Sequence, residues 1–120
     1  MLDHSRKSLF VDLASGPGEP AVTIARLVGP DGGVVATDLV EEMLAGARRR
    51  IADGVGNLEA QTADMQDLPF ADGSFDRVTC RFGIMFAPEP ARAFAEVRRV
   101  LRPGGKCAFM VWGPRAQHHA

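Results

Sequence analysis

Short apolar runs alternate along the chain with longer amphipathic stretches, and this alternation predicts β-strands separated by α-helices. The apolar runs lie between turns rich in Gly, Pro and Asp, which is typical of short buried strands. The five predicted strands are residues 8–14, 34–37, 58–63, 75–81 and 106–112. The three predicted helices are residues 21–28, 40–52 and 88–101.

Strands that alternate with helices predict an α/β fold with a Rossmann-like parallel sheet in a three-layer sandwich. At 120 residues the chain has room for one domain, so we expect a single core over residues 1–120, structured from about 8 to 112. Ligands of such sheets bind outside the carboxyl ends of the strands. The residues that directly follow each strand are therefore the first candidates for a site.

Composition excludes several other classes of protein. Fourteen Lys and Arg against fifteen Asp and Glu give a net charge of −1, which argues against a nucleic-acid partner. The basic run 48–50 is interpreted as the solvated end of a helix. Cys80 and Cys107 lie in apolar runs without metal-ligand spacing, so both are predicted to be buried thiols and no metal is expected. No apolar run has the length of a membrane span and no signal peptide is recognisable, so a cytoplasmic location is expected.

A glycine-rich turn follows the first strand and precedes the first helix. Its pattern, Gly16-x-Gly18-x-x-Ala21, fits the dinucleotide fingerprint, and Asp38 ends the second strand 20 residues after Gly18. An acidic side chain at that place accepts hydrogen bonds from the hydroxyls of an adenosine ribose. The turn and Asp38 together allow either NAD or S-adenosylmethionine as the ligand.

Further residues favour S-adenosylmethionine over NAD. Asp12 stands just before the glycines, where a carboxylate would crowd a pyrophosphate but suits a cationic amine and a sulfonium. Asp64 follows the third strand, where it can accept from an adenine amino group. The runs LPFADGSFD (68–76) and LRPGG (101–105) also argue against a dinucleotide enzyme.

Five runs occur in one order along the chain: VDLASGPGEPA, VVATDL, TADMQDLPFADGSFD, CRFGIMF and RRVLRPGG. On these runs, residues 11–112 resemble the class I S-adenosylmethionine-dependent methyltransferases, in the ubiquinone/menaquinone C-methyltransferase branch. The resemblance implies a sheet of order 3-2-1-4-5-7-6 and S-adenosyl-L-methionine as cofactor. The last two of those strands are absent here, so we expect a sheet truncated after the fifth strand.

The resemblance also implies a role for each motif residue. Asp12, Ala14, Gly16 and Gly18 would form the first motif around the methionine part of the cofactor. Arg81 would lie near that part and the substrate, although a structural salt bridge remains an alternative. The family often has glycine where this chain has Ala14, and we expect that difference to cause only a slight shift in packing.

The adenosine part is implied to contact a second group of residues. Asp38 would bind the ribose hydroxyls, with Leu39 beside the adenine and Met43 lining the pocket. Asp64 would bind the adenine amino group, and the backbone of Met65 the ring. Two alternatives stay open, since Asp38 can instead cap the next helix and Asp64 can serve only its turn.

The predicted function is transfer of a methyl group from S-adenosylmethionine to a small-molecule acceptor. No residue is identified as a catalytic base. The alternatives are a truncated, non-catalytic S-adenosylmethionine-binding module and, less favoured, an NAD-dependent oxidoreductase. An open edge at the fifth strand would expose unpaired backbone, so we expect a fragment, a shortened variant, or a homodimer or partner chain that covers this edge.

Overall fold

The structure, a computed structural model, describes residues 8–16, 21–81 and 87–110. Its elements follow the predicted alternation of strand and helix. The strands are β1 (Ser8–Leu13), β2 (Gly32–Asp38), β3 (Leu58–Thr62), β4 (Phe75–Arg81) and β5 (Leu101–Met110). The helices are α1 (Ala21–Val28), α2 (Ala45–Ala52) and α3 (Pro90–Val100), and a 3₁₀ helix (Glu41–Leu44) precedes α2.

The five strands form one parallel sheet in the order β3-β2-β1-β4-β5. The first strand is central, and the chain moves outward first to β2 and β3 and then to β4 and β5. The strand order reverses beside β1, which is the point where open α/β sheets bind ligands. The predicted Rossmann-like parallel sheet is confirmed, as is the implied order of its five strands.

Successive side chains of a strand point to opposite faces of the sheet, so the strands contribute to two hydrophobic cores, one on each face. On one face Val34, Ala36 and Leu58 pack with buried residues of α1 and α2. On the opposite face, Val11 and Val78 pack with buried residues of α3. The sheet therefore has helices on both faces, and the predicted three-layer sandwich is confirmed. Among the described helices, none has the length and apolar character needed to cross a bilayer.

The segment predicted as one helix over residues 40–52 is divided in two. Val40 is extended, and Leu44 lies at φ −88° and ψ 0°, so the chain makes a tighter 3₁₀ turn before α2 begins. Arg48 and Glu41 form an ion pair across this junction, with N–O distances of 2.6 and 2.8 Å. The hydrogen bond from Arg48 lowers the pKa of the Glu41 carboxyl.

The predicted helix 88–101 and the predicted strand 106–112 left residues 102–105 between them, but the whole LRPGG run belongs to β5. Between the pairs Phe75–Leu101 and Arg77–Lys106, β4 advances by two residues while β5 advances by five, so the run bulges out of the ladder. A Cβ atom on Gly105 would lie 3.0 Å from the backbone oxygen of Asp76, which leaves room only for glycine. The prediction of two buried thiols is half wrong, because Cys107 is exposed on the outermost strand.

Candidate functional site

A cavity of about 210 Å³ opens at the carboxyl ends of β1, β2 and β3. Five predicted site residues lie around it together with three further residues. Its lining consists of Ala14, Asp38, Leu39, Ala63, Asp64, Met65, Ala87 and Pro88. Pockets for whole ligands usually measure about 300–1,000 Å³, so this cavity has room for part of a larger ligand. Two carboxylates in an otherwise mostly apolar lining favour a ligand with a flat apolar group and several hydrogen-bond donors.

The turn after β1 has an uncommon backbone. Ala14 and Gly16 both have positive φ, +52° and +58°, on either side of Ser15. The turn is tied to the end of β2, because the Ser15 N–H donates to the Thr37 carbonyl at 2.7 Å and the Gly16 N–H to Oδ2 of Asp38 at 3.0 Å. The turn is therefore held in a fixed position beside the cavity.

Ala14 departs from the expectation that its methyl group would only shift the packing. Its φ of +52° lies in the left-handed region, where a Cβ atom crowds the following carbonyl and costs about 1–2 kcal/mol. Alanine in place of glycine therefore strains the backbone, a consequence that the prediction of a slight shift in packing did not include. Strained residues that the surrounding structure holds in place are concentrated at binding sites.

Asp38 is bonded through both side-chain oxygens and its backbone. Oδ2 accepts from Gly16, Oδ1 accepts from the Val40 N–H at 3.2 Å, and the carbonyl accepts from the Ala63 N–H at 2.9 Å. The helix that follows has no side-chain cap at Val40, so the alternative that Asp38 caps it is not what the structure shows. Asp38 instead joins the turn after β1, the end of β2 and the end of β3.

Asp64 combines a turn with a position on the cavity. Its Oδ1 accepts from the Gln66 N–H at 2.9 Å, and its carbonyl accepts from the Asp67 N–H at 2.9 Å. Asp64 therefore does serve its turn, as the alternative interpretation predicted. The side chain is nonetheless exposed at the cavity rim, and a carboxylate that accepts one hydrogen bond keeps further lone pairs for a ligand.

Asp12 lies in the interior of the sheet, fully buried within β1. Thr79 of β4 stands opposite it in the ladder and donates its hydroxyl to Oδ1 of Asp12 at 2.6 Å. Thr37 of β2 donates to the Asp12 carbonyl at 3.1 Å. Asp12 is thus buried in β1 two residues before Ala14, and it is not among the residues that line the described cavity.

The remaining predicted site residues are distributed around the turn. Leu39 lines the cavity and is 70% exposed. Met43 lies in the neighbouring groove formed by the 3₁₀ helix and α2, with its Cε 3.7 Å from where a Gly16 Cβ would be. Gly18 and the side chain of Arg81 lie outside the described residues.

Sequence reasoning missed four residues of this region. Ala63, Ala87 and Pro88 line the cavity, and Thr79 holds Asp12. Ala63 directly follows β3, but the predicted third strand ran to residue 63, so the rule that ligands meet the residues after each strand pointed to Asp64 instead. Thr79 required the register of β4 against β1, which places it opposite Asp12 and which the implied strand order does not contain.

Comparison with known proteins gives the class of the chain. The methyltransferase domain family matches residues 10–105, and the chain belongs to this family. Its curated relatives include the ubiquinone/menaquinone biosynthesis C-methyltransferase UbiE of Ectopseudomonas oleovorans, 45% identical over 98 residues, which are 80% of this chain and 58% of that protein. A protein of the same name from Bordetella avium (strain 197N) is 44% identical over 80% of this chain. The predicted resemblance to this branch is confirmed.

The chain spans only 38% of the Bordetella protein and 58% of the Ectopseudomonas protein. Among solved structures, a SAM-dependent methyltransferase from Aquifex aeolicus superposes with a TM-score of 0.82 at 25% identity, over 92% of this chain and 59% of that one. The [4+2]-cyclase SpnF superposes with a TM-score of 0.77 at 26% identity, over 85% of this chain and 38% of that one. Membership of the S-adenosylmethionine-dependent methyltransferases is confirmed at the level of the family.

Proposed function

We propose that the chain binds S-adenosyl-L-methionine at the carboxyl ends of β1–β3 and serves the transfer of its methyl group to a small-molecule acceptor. The observation that carries this proposal is the position of Asp38. Its carboxylate lies on the cavity at the end of β2 and is bonded at 3.0 Å to the glycine turn after β1. That arrangement brings an acceptor for ribose hydroxyls next to the turn implied for the methionine part.

The cavity suits an adenosine group. Asp38 and Asp64 supply acceptors for ribose hydroxyls and for an exocyclic amino group. Leu39 and Met65 supply apolar surface on which a purine ring can lie. The cavity of about 210 Å³ then receives the adenosine, and the rest of the ligand follows the glycine turn.

The buried carboxylate of Asp12 favours a cationic ligand part over a pyrophosphate. Charges interact more strongly where water is excluded, and Asp12 is fully buried in β1, two residues before the turn begins at Ala14. An ammonium and a sulfonium near the turn are attracted to this carboxylate, whereas the phosphates of NAD are repelled. Gly18 and Arg81 complete the methionine part of this proposal by their match to the family motif.

The cofactor, when bound, supplies an activated methyl group on its sulfonium. The chain's own residues hold the adenosine, orient the methionine part and exclude water from one side of it, which is how such enzymes lower the barrier. The names of the curated relatives favour a quinone-type small molecule as acceptor, methylated at carbon.

Isothermal titration calorimetry with S-adenosylhomocysteine tests the cofactor site, with NAD as the control ligand. Micromolar binding of the first and none of the second supports the proposal. Asp38→Ala is expected to lower the affinity about tenfold or more, the range for hydrogen bonds to a charged group. Asp31→Asn, which removes an exposed carboxylate from the opposite end of β2, is the matched control and is expected to bind as the wild type does. Binding of NAD alone would overturn the proposal.

A second candidate is a non-catalytic S-adenosylmethionine-binding module. The superposition with a [4+2]-cyclase keeps this candidate open, because a fold that also serves a protein named for other chemistry does not by itself establish methyl transfer. Incubation with S-adenosylmethionine labelled at the methyl group and a panel of quinol acceptors separates the two. Labelled product supports the methyltransferase, and ligand binding without any product supports the module.

We also propose that a second copy or a partner chain covers the outer edge of β5. Within the described residues, this strand pairs on one side only, with β4. Exposed strand edges tend to recruit further strands. Sedimentation velocity over a range of concentrations tests the proposal, and a monomer at the highest concentration contradicts self-association.

A further inference from the structure

We propose that Asp38 has a second role besides contact with the ligand: its carboxylate holds the glycine turn in the conformation that receives the methionine part. This inference rests on the proposed cofactor site and assigns a positioning role within it. The two atoms that carry it are Oδ2 of Asp38 and the backbone nitrogen of Gly16, 3.0 Å apart.

The turn needs an external support because its backbone is strained. Ala14 at φ +52° lies in a region that L-residues avoid, and Gly16 follows at φ +58°. Two hydrogen bonds to β2 maintain this shape, one from Ser15 to a backbone carbonyl and one from Gly16 to the Asp38 side chain. The second is charge-assisted, and such bonds are about twice as strong as those between neutral groups.

The two roles of Asp38 are compatible. An ionised carboxylate has about four lone-pair positions, two on each oxygen. The structure uses one on each, since Oδ1 accepts from Val40 and Oδ2 from Gly16. Within the described residues, one acceptor position on each oxygen is left for the two hydroxyls of a ribose, so a ligand does not have to displace the turn in order to bind.

This arrangement predicts that loss of Asp38 weakens the binding of ligand parts that the carboxylate never touches. The decisive measurement uses S-adenosylhomocysteine and its analogue without the 2′ and 3′ hydroxyls, titrated into wild type and Asp38→Ala. A carboxylate that only binds ribose leaves the affinity for the analogue unchanged. A carboxylate that also holds the turn lowers that affinity by about fivefold or more.

A ligand-free measurement separates the positioning role from the cofactor proposal. Amide hydrogen exchange at Gly16, followed by NMR, is expected to be about tenfold faster in Asp38→Ala than in wild type and unchanged in Asp31→Asn. Asp38→Asn keeps the shape of the side chain but directs an NH₂ group at one of the two backbone N–H groups, so it is expected to fall between the two. If the alanine variant does not fold, the exchange rate at Gly16 in Asp38→Asn is compared with the wild type instead.

The outcomes are distinct. If the wild type does not bind S-adenosylhomocysteine, the proposed function is wrong. Amide exchange at Gly16 still tests whether the hydrogen bond to Asp38 holds the turn. If amide exchange at Gly16 is unchanged in both Asp38 variants, the Asp38 carboxylate does not hold the turn. An unchanged affinity of Asp38→Ala for the analogue overturns the positioning role even where the cofactor site is real.

Discussion

The glycine turn after β1 and the loop 68–74 before β4 both lie close to the sheet, but they are held in different ways. The turn is held by two backbone N–H groups that donate to a carbonyl and to one carboxylate oxygen. The loop is held by a guanidinium: Arg99 of α3 donates to Glu96, to Asp72 and to the carbonyls of Leu68 and Phe70, at 2.7–2.9 Å.

The two regions differ in how much hydrogen-bonding capacity they keep for a ligand. Arg99 uses its donors within the protein, so the loop is a structural connection with little capacity for a ligand. Among the described residues, the Asp38 carboxylate accepts two hydrogen bonds, and Asp38 also lines the cavity. We therefore expect a binding region in this chain to contain polar groups that are held by the protein and still have lone pairs for a ligand.

The largest expected effect is in the loop. Arg99→Met removes the donors that hold residues 68–72 against α3 and is expected to lower the free energy of unfolding by about 3 kcal/mol, as for hydrogen bonds to charged groups. Urea unfolding measures it. Arg98→Met, an exposed neighbour on the same helix, is the control and should stay within about 0.5 kcal/mol of wild type. Equal stability of the two variants would mean that apolar contacts alone hold the loop.

Thr79→Val tests the support beneath the turn. The variant removes the hydroxyl that donates to the buried Asp12 carboxylate at 2.6 Å, so we expect a loss of about 2 kcal/mol in the free energy of unfolding. Thr79→Ser keeps the donor and should recover most of that loss. Thr62→Val, on the exposed end of β3, controls for the change from hydroxyl to methyl. If Thr79→Ser and Thr79→Val are equally stable, the hydrogen bond has no net effect.

Ala14→Gly tests the strain in the turn and has the opposite sign. Glycine adopts φ +52° without steric cost, so the variant is expected to be more stable by about 0.5–1 kcal/mol after the greater freedom of its unfolded chain is counted. Ala45→Gly, at φ −55° in helical backbone, should instead lose about 1 kcal/mol. A destabilised Ala14→Gly variant would show that Ala14 is not strained.

The smallest expected effect is a pH dependence of the loop. The hydrogen bond from Arg99 is the main cause that lowers the pKa of Glu96 from its ordinary value of 4.5, and a hydrogen bond from the Leu68 N–H adds to it. A carboxyl whose pKa is lower in the folded state stabilises the protein above pH 4.5, and this contribution is lost as the pH falls through the folded pKa. Urea midpoints of wild type and Glu96→Gln should therefore converge below pH 4.5. A constant difference down to pH 3 would contradict this coupling.

The sequence predicted the fold well because the fold depends on local periodicity. The five apolar runs became five parallel strands, and α1 has its predicted bounds. The errors occur where long-range packing decides. Cys107 stands at the start of the apolar run 107–112, as a buried residue can, but it is exposed on β5, an outer strand of the described sheet.

The site was predictable to the level of which residues meet, but not of how they are bonded. Asp38 and Asp64 follow strands whose ends meet at one edge of the sheet, so their meeting was expected. The bond from Gly16 to Asp38 joins residues 22 positions apart and depends on the register of β1 against β2. The sequence does not predict the left-handed backbone conformation of Ala14, since alanine is normally found at negative φ.

The central position of β1 has a consequence for how the chain is made. Among the described strands β1 is synthesised before the others and β2 soon afterwards, but the other neighbour of β1 is β4, and the bond from Thr79 to Asp12 spans 67 residues. At 5–20 residues per second, ribosomes need about 3–13 seconds to add that length. A strand edge left unpaired for that time is a template for wrong partners. During synthesis, the strand at the centre of the finished sheet is thus the one that waits longest for its second neighbour.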